Sequence, residues 1–328
     1  MARQLNLQLS AQRLKSATNR LTLELSSGKK TQIGAMTSRD LREVAGLNRS
    51  LTLLTSLKTS VAETSIFFTA QQTGLGSLQD QAETAATGFL TAGAARHPAQ
   101  LSAVGTDSVN RLESLVSVMN SRAGDKSVFA GAATDGPALA PAGTILAALQ
   151  SEVAGMTTAD EIFTRLSDWF MTPGDGFDTL AYVGDPAPAG PFPIGEGERL
   201  SAPITAESAP IRAAMFGLAL GAMLNEPGIA PDTTERARLA HLAGEHLLNA
   251  SSELTDLRAG LGIAEARIDE GMTRTATAAL ATERALADLT HADPYQTATE
   301  LQDVMARLES LNTLTARIAR LSLTEFLR

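Results

Sequence analysis

Apolar residues recur along this chain mostly at helical spacing. Leu7, Leu14 and Leu21 stand seven apart, with Leu5 and Leu25 beside them and polar residues between. That spacing predicts an amphipathic first helix over residues 3–25 with a sparse apolar face. Ser26-Ser27-Gly28-Lys29-Lys30 supplies its stop, because Gly favours the left-handed position beyond a helix end and Lys complements the helix dipole there. A break through Gly34 follows. Thr37 with Asp40 three residues on predicts the cap of a second helix over 38–90. Its seam, Leu47, Leu51, Leu54, Lys58, Val61, Ser65, Phe68, Gln72 and Leu75, alternates steps of four and three. Such a helix would approach about 75 Å, so it needs a partner helix along its length.

A third helix is predicted from Pro98, with Leu101, Val109, Leu112, Val116 and Met119 on one face and Gly124 at its end. The texture then changes, since eleven of the 13 prolines lie between Pro137 and Pro231. Within that stretch residues 144–170 read as helix. Ser127–Gly131, Leu180–Asp185, Phe192–Ile194 and Arg199–Ile204 read as short strands and turns. Helical periodicity returns near residue 210, with breaks near Pro227 and Asp293-Pro294. Two further seams follow: Leu254, Leu257, Leu261, Ala264 and Ile268, then Leu301, Val304, Leu308, Leu311, Thr315 and Ile318.

Matching seams at both ends predict a mostly α protein: a long antiparallel helical bundle or coiled-coil rod formed by the two termini, with a small mixed α/β domain inserted. The expected boundaries are 1–36 for an N-terminal axial helix, disordered in the monomer, and 37–126 for the N-terminal half of the rod. Residues 127–209 form the insert, 210–292 the C-terminal half of the rod, and 293–328 a C-terminal axial helix, also disordered in the monomer. The terminal helices carry too little apolar surface to be stable alone. Their leucines are therefore the expected assembly interface: Leu14, Leu21, Leu25, Leu301, Val304, Leu308, Leu311 and Ile318. The alternative for the same stripes is an ordinary intramolecular bundle.

Composition narrows the chemistry. With 328 residues, 44% of them hydrophobic, the chain can bury a core, and 4% aromatic content suits helices better than sandwiches. Cysteine is absent, which excludes disulfides and thiolate chemistry. The net charge is −9, yet residues 1–58 carry ten Lys or Arg against Glu24, Asp40 and Glu43. Those bases scatter around helices without aromatic partners, so inter-subunit or solvated roles are expected and nucleic-acid binding is not. Neither a membrane-spanning run nor a cleaved secretory signal is evident. His241 and His246, five apart, lie on different faces of a helix, and Asp175, Asp178 and Asp185 match the spacing of turns rather than of a calcium loop. No nucleotide-binding or hydrolase motif is present, so neither catalytic, cofactor nor metal residues are expected.

Several short segments resemble those of the bacterial flagellin family. Glu24-Leu25-Ser26-Ser27-Gly28-Lys29-Lys30 is similar to the "RLSSGKRI" stretch that closes the first flagellin helix, and Val44-Ala45-Gly46-Leu47 to "AAGLAI". Residues 128–137, Tyr182-Val183-Gly184-Asp185, Ile194–Glu198 and Ser322–Leu327 resemble elements of the hook-associated, junction-forming branch. The resemblance covers residues 1–137 and 180–328. Ser38-Arg39-Asp40 and Glu265–Asp269 depart from the flagellin pattern.

The resemblance implies a non-enzymatic flagellar subunit without cofactors, exported to the cell exterior. It implies self-association into a ring, neighbouring hook-associated protein and flagellin as partners, and an export chaperone on the C-terminal helix, with neither nucleic-acid binding nor membrane insertion. A flagellin filament subunit is the alternative within the family, and an intracellular coiled-coil scaffold or signalling module the alternative outside it.

Overall fold

The computed structural model describes residues 2–31 and 38–326, with side chains for 5–31 and 40–317. Thr37 and Gly34, read above as a cap and a break, lie outside the described residues. The protein is mostly α, and it divides into two compact units: residues 1–55 with 276–328, and residues 56–275. Its helices are α1 (Ala2–Ser27), α2 (Ser38–Ala95), α3 (Pro98–Met119), α4 (Ala142–Glu152), α5 (Ala159–Met171), α6 (Ala209–Ala222), α7 (Thr233–Thr290) and α8 (Pro294–Phe326). Two small antiparallel sheets complete it, β1 (Arg122–Ala123) with β2 (Lys126–Ser127) and β3 (Ala189–Pro193) with β4 (Arg199–Ala202).

In the first unit α1 packs against α8. The end of α1 is built by the segment singled out above. Gly28 takes φ +66°, a left-handed conformation that glycine adopts without cost, and turns the chain out of the helix. The next residues bridge to the end of α7: Lys30 N–H donates to the Thr290 carbonyl at 2.9 Å, and Ala292 N–H to the Gly28 carbonyl at 3.0 Å. The Asp293 side chain caps α8, accepting from Tyr295 N–H at 2.8 Å and Gln296 N–H at 3.1 Å, with Pro294 at the first helical position.

The second unit holds the main core, which includes Phe68, Phe89, Phe129, Phe170, Phe216 and Trp169. α6 lies at its centre. Every residue from Ile211 to Ala222 is buried, as expected of a helix apolar on all sides. Arg212 is the charged exception. Its guanidinium pairs with Asp178 at 2.5 Å and Glu207 at 2.9 Å, and it stacks on the Phe177 ring 4.5 Å from its centroid. Here α2 and α7 run antiparallel. Gln79 meets Thr255 at 3.1 Å and Arg258 at 2.7 Å, while the Ser251 hydroxyl donates to Glu83 at 2.7 Å. That last bond, followed by the one from Gln79, holds the Glu83 carboxyl below its ordinary value.

Three local readings are corrected. Residues 144–170 are two helices rather than one, separated at Val153–Thr158, where Gly155 takes φ +78° and Thr158 caps α5. Leu180–Asp185 is not a strand. Phe177–Ala181 forms a single π-helical turn, and Tyr182 pairs only as an isolated bridge with Leu139. Of Ser127–Gly131 only Ser127 lies in a strand, and the rest is a buried turn. Burial pushes the Tyr182 hydroxyl up to about 12, and it donates to the Asp185 carbonyl at 2.7 Å.

Gln71 explains how this turn is held. Fully buried on α2, its amide N–H groups reach the Val128 and Ile204 carbonyls, both at 3.0 Å.

Candidate assembly surface

Among the described residues no group of His, Asp or Glu could hold a metal ion. The two histidines differ in environment: His241 lies 3.3 Å from Glu245 on the surface, while His246 packs between Phe163 and Phe216. The aspartates serve turns and ion pairs. Asp175 accepts from Gly176 N–H at 2.8 Å and pairs with Arg165, Asp178 pairs with Arg212, and Asp185 accepts from Ala187 N–H at 2.8 Å.

The surface of interest lies on the terminal helices. Leu14, Leu301, Val304, Leu308 and Leu311 are partly buried, and Leu21 is 2% exposed. These expected residues lie on two helices that pack on each other within one chain. Leu25 does not join them, being 41% exposed, and the Ile318 side chain lies outside the described residues. The shielding is thin, since α1 and α8 bury few large side chains along their length.

A second apolar set was missed by the periodicity. Leu9, Leu23, Met305 and Leu314 are exposed, Leu23 at 58%, as is Leu5, noted above beside the repeat, at 60%. They fall outside the seven-residue repeat, so a single-stripe reading of each helix passes over them. The other missed residue is Glu24, 6% exposed, whose carboxylate accepts from the Thr31 N–H at 2.9 Å and the Thr31 hydroxyl at 2.7 Å. Its signal was present, in the position of a single acid beside the Ser-Ser-Gly-Lys-Lys stop.

Among the described residues no helix is long and apolar enough to cross a membrane. Residues 246–327 match the family model of the bacterial flagellin C-terminal helical region. No curated protein sequence matches the chain. Its fold matches that of a provisionally assigned flagellar hook-associated protein of Vibrio parahaemolyticus, with a TM-score of 0.53 at 14% identity, covering 77% of this chain and 98% of that one. Residues 246–327 thus resemble the flagellin C-terminal helical region, and the fold of the chain is similar to that of a hook-associated protein.

Proposed function

We propose that the chain is a non-enzymatic adaptor at the junction between flagellar hook and filament. It associates with its own copies into a ring, contacts a hook-associated neighbour on one side and flagellin on the other, and is needed for motility. It reaches its place outside the cell by export without a cleaved signal, with a chaperone guarding the C-terminal helix beforehand.

The observation that carries this reading is the α1–α8 pair. Two helices of 26 and 33 residues hold each other through a thin line of partly buried leucines while presenting a second set of leucines outward. Helices with so little apolar support are marginal alone, and neighbouring subunits would complete their burial. The assembly interface then includes Leu14, Leu21, Leu25, Leu301, Val304, Leu308, Leu311 and Ile318. The near-complete coverage of the hook-associated chain supports the junction over the filament. The flagellin C-terminal match favours a filament subunit as the second reading.

Leu308→Asp tests the interface. Its expected outcome is a folded second unit with unchanged thermal unfolding and loss of filament attachment when it replaces the normal protein. Normal attachment would overturn the proposed interface.

A further inference from the structure

The β3–β4 hairpin touches both long helices of the second unit, and it is held on the two by different means. Toward α2 the hold is buried and aromatic. The Phe192 ring packs on Phe67 with centroids 4.7 Å apart and meets Phe68 edge-on at 6.0 Å, and all three rings are buried. Beside them the buried Thr64 hydroxyl donates to the Pro193 carbonyl at 3.1 Å. Tilted and edge-on aromatic pairs of this kind add stability beyond the area they bury.

Toward α7 the hold is of another kind. Gly271 stands in the interior of α7, where glycine is unfavourable because it gives up more conformational freedom on folding than any other residue. Its reason for being there is steric. A Cβ on Gly271 would collide with the Ile194 carbonyl oxygen, so the backbone of the hairpin tip lies directly on the backbone of the helix. Close by, Glu198 pairs with Arg274 at 2.6 Å, and Arg274 also lies 3.7 Å from Glu270. The side chains of Glu198 and Arg274 are both about half exposed. Such a pair adds little to stability and is screened by salt.

The hairpin itself is a coherent piece. Its tip is closed by Ile194 N–H donating to the Glu198 carbonyl at 3.1 Å and Glu198 N–H donating to the Gly195 carbonyl at 3.3 Å. At its base the paired residues Ala189 and Ala202 are buried. A piece that is internally bonded, fastened firmly at one side and resting lightly at the other moves about the firm side.

We propose that the β3–β4 hairpin is a latch, hinged on α2 and released from α7 while the core around α6 stays folded. Release bares Ile194, 1% exposed when the latch is closed, together with the Gly271 face of α7, on which Ile268 and Thr275 are also buried. The second unit therefore has a closed and an open state that differ in this one local contact. The latch gives the proline-rich middle segment a mechanical role, and it does not depend on the adaptor reading.

The absence of native cysteine lets a single introduced thiol report the opening. Three full-length proteins are treated with a soluble aromatic disulfide under native conditions: Ile194→Cys at the latch tip, Thr64→Cys at the α2 hinge and Leu218→Cys in the α6 core, all at buried positions. The expected result is that the Ile194→Cys thiol reacts at least about tenfold faster than the other two. Adding Gly271→Ala should speed it about tenfold further, and Arg274→Ala about two- to fivefold, with the Leu218→Cys rate unchanged by either. Equal rates at Ile194→Cys and Leu218→Cys would show that the hairpin leaves only when the whole unit unfolds. Equal rates at Ile194→Cys and Thr64→Cys would show that it leaves α2 as well. An Ile194→Cys rate indifferent to Gly271→Ala, or a rise just as large at Leu218→Cys, would show that Gly271 does not seat it. Each of these results would overturn the latch. Gly195→Cys, whose Cβ meets Arg274 and Glu198 only at ordinary contact distances of 3.5 Å, reports the same opening with Gly271→Ala should Ile194→Cys fail to fold.

Discussion

Glu24 and Thr31 close the end of the first helix through one carboxylate oxygen, which receives both the backbone N–H and the hydroxyl of Thr31. Arg20, one turn earlier, lies 3.7 Å from the same oxygen. The flagellin-like segment is therefore a structural clasp. Glu24→Ala removes the acceptor and leaves the Thr31 donors to water. The expected cost is about 1–3 kcal/mol of local stability. Hydrogen exchange at the Thr31 amide should accelerate by about tenfold, with exchange in α6 unchanged; unchanged exchange at Thr31 would refute the clasp.

Gly131 takes φ +63°, and a Cβ there would lie 1.9 Å from the Asp185 carbonyl oxygen. Both the conformation and the space demand glycine. Gly131→Ala should destabilise the second unit by about 2–4 kcal/mol, read as a lower denaturant midpoint. An unchanged midpoint would show that the turn can move.

Arg212 couples α6 to the π-helical turn. Removing its guanidinium strands Asp178 and Glu207 beside an apolar core. Arg212→Ala should therefore cost about 3–5 kcal/mol, whereas Arg212→Met together with Asp178→Asn should recover part of the loss. A double-mutant cycle in urea measures this coupling, and additive effects would contradict it.

His246 gives the second unit a pH dependence. Burial lowers its pKa from the ordinary 6.5, and a hydrogen bond to the Ala213 backbone offsets this only in part. The folded state thus holds the proton less tightly than the unfolded chain. The contribution to stability is complete above about 6.5 and is lost as pH falls through the lowered folded value. Below about 6.5 the wild-type protein should lose stability with falling pH. His246→Phe, among Phe163 and Phe216, should flatten that slope; an identical slope in both proteins would assign it elsewhere.

Local chemistry made much of the helical frame readable. Pro98 marks the start of α3, and Asp293-Pro294 the start of α8, because each proline occupies the first turn, where its missing N–H costs nothing. The seam positions Val61, Phe68, Leu75, Leu254, Leu261 and Ile268 are all buried. The middle of the chain was less legible because its conformations depend on distant partners. The Val128 turn relies on Gln71 of α2, and the turn at Phe177 relies on Arg212 of α6. Neither partnership leaves a periodic trace. At the candidate surface the seven-residue repeat revealed the inward leucines, while Leu9 and Leu23 escaped it because exposure is set by which helix lies opposite.

The central proposal is that this protein, with its flagellin-like C-terminal region, joins hook to filament, and deletion of its gene tests it most directly. Cell-surface hooks are imaged, and the culture medium is assayed for polymerised and free flagellin. The account predicts bare hooks with monomeric flagellin released into the medium; normal filaments on hooks would contradict it.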